Sequence, residues 1–352
     1  MARRLRPGQL MLNEIHEQPL VLERVWREEG GAVRALARRL RAQRPRAVVL
    51  AARGTSDNAA LYGRYLIETH LRIPASLAAP SVVTLYGVRV KLRGMVVIGL
   101  SQSGRSPDIV RVIESARDAG ATTVAITNDP RAPLARAADE VLVLHAGAER
   151  SVAATKTYTA QLMLLSLLVA HTAGNSRLIR AHEALPEAVA RALQTAPAVA
   201  DAAALLQRAR ECLVTSRGYN FATALEAALK LKESSRVVAE ALSSADLLHG
   251  PIAVVERDFP VIVVAPPGRA LGHLWGVLRR LVRRRARTIV LSSAARLLAP
   301  ATVPVRLPDV AEEALSPHVY IVPLQLLAHH TARLRGLDPD HPQGLRKVTR
   351  VL

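Results

Sequence analysis

At 352 residues, half of them apolar, the chain is long enough for two domains plus an extension, each domain with a full core. Its single cysteine, Cys212, excludes internal disulfides and multi-cysteine zinc sites and fits a reducing cytosol, so a cytoplasmic protein is expected. The formal charge of +19 points towards polyanions, but aromatic residues make up 3% of the chain and only five of the 48 basic residues are lysine; scattered arginine of this kind reads as compositional bias, and nucleic acid is not the expected partner.

In chain order, residues 1–34 read as an N-terminal helical extension that ends near Gly30-Gly31. Residues 35–175 alternate β-branched runs, among them AVVLAAR (47–53), VVIGL (96–100) and TVAIT (123–127), with helical patterns, the signature of a parallel sheet built from βαβ units. The apolar run LMLLSLLVA (162–170) is far short of the roughly 20 residues that cross a bilayer and reads as a core helix, so no membrane is expected. Residues 176–196 supply a connecting helix, residues 197–336 a second domain, and residues 337–352 a tail without a core pattern. The second domain repeats the first: RAVVLAARGTSDNAAL from Arg46 aligns with RECLVTSRGYNFATAL from Arg210, and MVVIGLSQSGRS from Met95 with FPVIVVAPPGRA from Phe259. The expected fold is therefore α/β, two tandem doubly wound domains. Within the second copy, FATALEAALKLKESSRVVAEAL (221–242) has the pattern of one long helix.

Ligands of such sheets sit at the carboxyl ends of strands, beside helix N-termini. LSQSGRSPD (100–108) occupies that position: Ser106 suits the N-cap, Pro107 the first turn and Asp108 the positive helix end. Ser101, Gln102, Ser103 and Ser106, with the intervening backbone N–H groups and Gly104 permitting close approach, suit a phosphate. The second copy reads VAPPGRA, in which two prolines have removed hydroxyls and donors. GTSDN (54–58) also ends a strand and offers Thr55 and Ser56 to the same crevice.

Acid-base chemistry is expected from the second copy. At about 100° per residue, Glu226, Lys230 and Glu233 share one helix face, and His249 precedes Gly250-Pro251 in an irregular turn from which an imidazole can reach a substrate. In a chain that uses arginine nearly everywhere, Lys156, Lys230, Lys232 and Lys347 fall in segments that look chemical on other grounds. Unlike arginine, lysine can serve as an amine nucleophile or proton-transfer partner.

These motifs carry a resemblance. NEIHEQP (13–19), ARGTSDN (52–58), LSQSGRSPD, GAERSVAATKTYTAQ (147–161), LEAALKLKE (225–233), LLHGP (247–251), VPLQLLAHH (322–330) and LRKVTR (345–350), in that order over nearly the whole chain, resemble the sugar isomerase (SIS) domain family. Within it they are similar to the isomerising half of glutamine:fructose-6-phosphate amidotransferase and to the SIS-type glucosamine-6-phosphate deaminase. The resemblance implies two flavodoxin-like SIS domains and an active-site tail. Ser56, Ser101, Gln102, Ser103 and Ser106 would hold a 6-phosphate, and Val152, Ala153, Ala154 and Thr155 would line the sugar. Glu233 would move a proton between C1 and C2 with Lys230 assisting, His249 would open the ring, and Lys347 would approach the carbonyl carbon and could form an imine. It further implies no metal or organic cofactor, an amino-sugar phosphate substrate, and a homodimer with shared active sites.

Between the two branches, RSP (105–107) and SVAATK (151–156) look more like the deaminase. The chain opens on isomerase-like motifs with Cys212 in its interior, so glutamine hydrolysis is not expected. The reaction expected is conversion of glucosamine 6-phosphate to fructose 6-phosphate and ammonia; ammonia- or partner-dependent synthesis of glucosamine 6-phosphate, and a non-catalytic sugar-phosphate sensor, are the alternatives. Gln343, where relatives usually show arginine, and Arg346, where a small residue is common, bear on substrate choice, which leaves galactosamine 6-phosphate and a fructosamine phosphate open.

Overall fold

The computed structural model describes residues 6–347. Its strands make two parallel five-stranded sheets. The first contains β1 (Val48–Ala51), β2 (Ala75–Leu77), β3 (Val96–Leu100), β4 (Thr122–Thr127) and β5 (Glu140–Val143) in the order β2-β1-β3-β4-β5. The second contains β6 (Glu211–Ser216), β7 (Val238–Ser243), β8 (Pro260–Val264), β9 (Arg287–Ser292) and β10 (Val303–Arg306) in the order β10-β9-β8-β6-β7, the same order read from the other edge. Both are doubly wound α/β sheets, as the repeat requires, and the central strand β3 is buried along its whole length.

The chain divides into two compact units that are not consecutive in sequence. One gathers Leu20–Glu149 and Lys156–Ala184 around the first sheet together with Arg346 and Lys347; the other gathers residues 6–19, Arg150–Thr155 and Leu185–Leu345 around the second. The expected extension 1–34 is therefore split. The helix Gln18–Gln43 runs straight through Gly30-Gly31, so the glycine pair does not end it and the 34/35 boundary falls inside it. Glycine costs a helix about 1 kcal/mol, and here the buried stripe of Val21, Leu22, Val25, Val33, Leu36 and Leu40 outweighs that cost. The single connecting helix expected over 176–196 is two short ones, Ser176–Ala181 and Leu185–Leu193, with a 3-10 turn at His182–Ala184 between them.

In the first unit, Val97, Ile109, Val112, Ile113, Ala125 and Leu134 form a core between the sheet and the helix Pro107–Asp118. The apolar run 162–170 lies in the helix Lys156–Ala173, buried from Lys156 to Ala170. A Cβ at Gly63 would stand 2.9 Å from Leu50 Cδ2 and 3.2 Å from Leu165 Cδ1, so this glycine sets the close approach of the helix Thr55–Leu66 to its neighbours. Among the described residues no helix is long and apolar enough to cross a membrane. In the second unit, Leu213, Val261, Val263 and Val290 pack against Leu274, Val277, Leu278 and Leu281 of the helix Leu271–Arg283, while the helix Ser316–Leu334, carrying the VPLQLLAHH motif, is buried along most of its length.

The segment 221–242 is not one helix. The helix Tyr219–Lys230 passes into a π-helical turn, Leu231–Ser235; Arg236 then adopts φ 57°, and the residues expected to continue the helix form β7. Ser234 and Ser235 donate their hydroxyls to Lys230 O (2.6 Å) and Leu231 O (2.7 Å), and the β-branched Val237 and Val238 favour extended backbone. The first half does the same at matched positions: the helix Thr55–Leu66, a π-helical turn at Ile67–Leu71, Arg72 at φ 59°, then β2.

Candidate functional site

The loop after β3 is held from below and open at its hydroxyls. Ser101 N donates to Ile126 O of β4 (3.1 Å), Asn128 N to Gln102 O (3.1 Å) and Leu134 N to Gly104 O (3.0 Å), which ties three loop residues to the neighbouring strand and turn. Gly104 has φ 61°, and a Cβ there would lie 2.5 Å from Ala132 Cβ and 2.7 Å from Thr127 Oγ1, so no other residue fits. Ser101 Oγ accepts from Gly104 N (3.2 Å) and lies 3.3 Å from Ser106 Oγ, and Ser103 Oγ accepts from Arg105 N (3.3 Å). Ser106 occupies the N-cap position of the helix Pro107–Asp118, with Pro107 at its start, but its hydroxyl makes no capping bond and faces Ser101 instead. The structure thus brings Ser101, Gln102, Ser103 and Ser106 into one turn at a helix N-terminus, a suitable seat for an anion.

Two further groups come from the same unit. Asp108 is buried and accepts Arg53 Nε (2.6 Å), so the carboxylate in the first turn of the helix is matched by a guanidinium from the loop that follows β1. Ser56, in the first turn of the helix Thr55–Leu66, accepts from Gln161 Nε2 (2.9 Å). Beside it, burial pushes the Asp57 carboxyl above the usual carboxylate range, with Arg53 acting in the opposite direction. Of the tail, Lys347 is described and the LRKVTR residues from Val348 lie outside the described residues. Lys347 Nζ donates to Glu149 Oε2 (2.7 Å), a buried carboxylate that also accepts Thr157 N (3.1 Å) and Thr157 Oγ1 (2.8 Å).

In the other unit, Lys230 is 1% exposed and lies between two carboxylates, Glu226 (0% exposed) at 3.4 Å and Glu233 (26% exposed) at 2.5 Å. The shared face expected from the helical pattern is realised, and Glu233 sits on the π-helical turn, a distortion often found at functional positions. Glu233 also lines an open cleft of about 320 Å³ with Lys232, Arg236, Asp338, His341 and Gln343, where Arg236 Nη2 donates to Gln343 Oε1 (2.7 Å). His249 is exposed on the turn after the helix Ser244–Leu248, ahead of Gly250 at φ 134°.

Val152 and Ala154 are half-buried, while Ala153 and Thr155 are buried. The strip is fixed by its backbone: Glu14 accepts from Arg150 N and Ser151 N, Val152 N donates to Asp340 O (3.2 Å), and Thr155 O accepts from Gln325 Nε2 (3.3 Å). Here the NEIHEQP motif supplies structure, through Glu14 and through Gln18, which donates to Gln325 (2.9 Å).

The second-copy loop behaves differently. Pro266 and Pro267 lack N–H groups, Arg269 N donates to Glu313 Oε2 (3.0 Å), and a Cβ on Gly268 would fall 2.2 Å from Glu313 Cδ. A carboxylate of the protein's own lies against the turn whose counterpart in the first half presents serines. Cys212 is buried in β6 and its thiol is pushed up to about 12 by burial, which makes it an inert core residue. Sequence reasoning did not single out Gln161, Glu149 or Arg53, and it gave Asp108 only a place at the helix end. Gln161 carried a usable signal, a lone amide in an otherwise buried helix.

The SIS domain family model matches residues 42–171 and 205–334 of this chain. The isomerizing glutamine–fructose-6-phosphate aminotransferase of Pyrococcus horikoshii is 36% identical over 348 residues, which cover 97% of this chain and 57% of that protein. A crystal structure from Silicibacter pomeroyi DSS-3, provisionally assigned as a phosphosugar isomerase, matches with a TM-score of 0.86 at 33% identity, covering 94% of this chain and 99% of that one. The C-terminal domain of glucosamine-fructose-6-phosphate aminotransferase from Francisella tularensis matches with a TM-score of 0.85 at 26% identity, covering 97% and 99%.

Proposed function

The chain belongs to the SIS domain family, and on that premise we propose that it is a sugar-phosphate isomerase that deaminates an amino-sugar phosphate, converting glucosamine 6-phosphate and water to fructose 6-phosphate and ammonia. The observation that carries the reading is Glu233. Of the two carboxylates that hold Lys230, it is the one with an exposed edge, and its partner is a buried ammonium at 2.5 Å. A carboxylate so placed can take a proton from one carbon and return it to the next, a contribution typically worth about 10²- to 10⁴-fold.

In this reading the 6-phosphate is bound by Ser56, Ser101, Gln102, Ser103 and Ser106. His249 moves the proton that opens the ring and exposes the C1 aldehyde. Glu233 takes the C2 proton, giving an enolamine, and delivers it to C1, which leaves an imine at C2; Lys230 stabilises the charge that develops on oxygen. Lys347 attacks C2, ammonia departs, and water releases the ketose and regenerates the amine. The assembly is a homodimer in which His249 serves the partner's site.

A second reading is favoured by a specific observation: the Pyrococcus relative is named an isomerizing aminotransferase, and this chain spans 57% of its length. The same residues would then run the isomerisation towards glucosamine 6-phosphate, with ammonia supplied from elsewhere. The Cys212 thiol, buried and held at about 12, cannot supply it by attacking glutamine. Ammonia release from glucosamine 6-phosphate by the purified protein tests the first reading. Release is expected, with losses of at least about 100-fold in Glu233→Gln and Lys347→Ala; variants that match the parent would refute the roles. No release by the parent, together with formation of glucosamine 6-phosphate from fructose 6-phosphate and an ammonium salt, would establish the second.

A further inference from the structure

The helix Lys156–Ala173 is buried over its first fifteen residues, and it spends one of those positions on a glutamine. Gln161 is 1% exposed; its Nε2 donates to Ser56 Oγ at 2.9 Å, while its Oε1 is buried with no partner among the described residues. An unsatisfied buried acceptor costs about 1–3 kcal/mol, so an apolar residue of similar shape would make a more stable helix. The hydrogen bond the amide does make is to Ser56.

A serine hydroxyl has one proton and two lone pairs. With a lone pair of Ser56 Oγ occupied by the Gln161 N–H, its proton remains to be placed, and among the described residues no protein group accepts it. Ser56 lies in the first turn of the helix Thr55–Leu66, so that proton is available at a helix N-terminus, where an anion is favoured. The opposite amide orientation would draw the proton towards Gln161 and leave Ser56 presenting lone pairs, which repel an anion.

We propose that Gln161 is a positioning residue of the anion site: it commits the Ser56 hydroxyl to donating, and thereby makes the site selective for the fully deprotonated phosphate of a monoester. The proposal rests on the phosphate-binding reading of Ser56 but not on which reaction follows. A site committed to donating cannot accept from a P–OH, so affinity falls as the ester takes up its proton at a pH of about 6.

The test separates binding from turnover by measuring the rise in melting temperature given by fructose 6-phosphate, at pH 8 and pH 5.5, alongside KM and kcat for glucosamine 6-phosphate. Gln161→Met keeps the shape and removes the donor; affinity should weaken about tenfold at pH 8, the value of one charge-assisted hydrogen bond, and KM should change more than kcat. Ser56→Ala should weaken binding by a similar factor, and the double variant no further, because the two residues act through one bond. Gln161→His, which can restore an N–H donor, should recover part of the loss, and Gln161→Met should flatten the pH dependence. Independent, multiplying effects in the double variant, or parent-like affinity in Gln161→Met, would overturn the proposal. Melting of each variant without ligand checks folding. If the parent binds fructose 6-phosphate but turns over no amino sugar, the deaminase assignment falls and the binding comparison still decides on Gln161; if the parent binds no sugar phosphate, the phosphate reading falls and the proposal with it.

Discussion

Lys230→Met separates what the buried lysine does for the fold from what it does in the reaction. The variant keeps the aliphatic stem and removes the ammonium from between Glu226 and Glu233, which it meets at 3.4 Å and 2.5 Å. The two carboxylates respond differently because their access to water differs: Glu233 is 26% exposed and can be hydrated, whereas Glu226 is 0% exposed and loses the cation that balances it. Breaking a buried pair from one side costs about 3–5 kcal/mol, most of it the penalty of keeping the other charge buried without this cation. Urea unfolding followed by far-ultraviolet circular dichroism should show that loss in Lys230→Met. It should show recovery of more than half in Lys230→Met combined with Glu226→Gln, where the buried carboxylate that faced the lysine has become an amide. Glu233→Gln alone should cost less than about 1 kcal/mol, since its partner stays matched by Glu226 and its own edge is wet. A Lys230→Met protein as stable as the parent, or a double variant no better than the single one, would refute the view that Glu226 is the structural and Glu233 the chemical partner of this lysine.

Gly104→Ala should lower stability by about 2–5 kcal/mol, combining a left-handed backbone for a residue with a Cβ and a contact within 2.5 Å of Ala132; thermal melting and the affinity for fructose 6-phosphate should both fall, and an unchanged affinity would show that the turn does not form the anion seat. Burial lowers His182 and His329 from 6.5 to about 4. Their folded forms resist a proton that the unfolded chain accepts, so the stability they confer is complete above pH 6.5 and is lost as the pH falls towards 4. At about 1.4 kcal/mol per pH unit each is worth on the order of 3 kcal/mol; acid titration of His182→Gln should show a shallower loss over that interval, and a slope equal to the parent's would refute the assignment. Cys212 should react with iodoacetamide at pH 8 only when the protein is unfolded, as its depth in β6 and a value near 12 require; rapid labelling of the folded protein would contradict it.

The repeat carried most of the fold. Matching Arg46 to Arg210 anticipated two sheets of one kind, and the structure extends the match to backbone detail: Gly54 and Gly218 begin their helices at φ 54° and φ 66°, and Arg72 and Arg236 end the π-helical turns at φ 59° and φ 57°. The change from helix to strand after Ser235 escaped the pattern because Ala, Glu and Leu continue a helical spacing across it; the side-chain bonds of Ser234 and Ser235 to Lys230 O and Leu231 O leave no mark in hydrophobic periodicity. Gly30-Gly31 misled in the opposite direction, since a local preference was outweighed by the burial of the residues around it. For the site, residues close in sequence were legible as groups, as with Ser101 to Ser106 and Glu226 to Glu233. Pairs made across the chain were not: Gln161 with Ser56, Lys347 with Glu149 and Arg53 with Asp108 are separated by 105, 198 and 55 positions, and no local pattern encodes such a meeting.

The two copies of the loop, compared with each other, bear on the anion reading. Each leaves the central strand of its sheet, β3 in one half and β8 in the other, and each leads into a helix. In the second half Pro266 and Pro267 have removed two N–H groups, yet Arg269 N still takes a negative partner, the Glu313 carboxylate at 3.0 Å. Negative charge is therefore accepted at this point of the fold without the serines. That acceptance arises from backbone N–H groups and the helix end, not from any one side chain. In the first half the counterpart of Arg269 N, Arg105 N, donates to the Ser103 hydroxyl (3.3 Å) and not to a carboxylate. Asp108 is shared between Ile109 N (2.9 Å) and Arg53 Nε (2.6 Å), and the Ser101 and Ser106 hydroxyls lie 3.3 Å apart, with Ser106 making no capping bond. The second half meets the demand with Glu313; the proposed phosphate would meet it in the first, since a phosphate monoester has the charge and the number of acceptors that four small polar side chains and a helix N-terminus can serve.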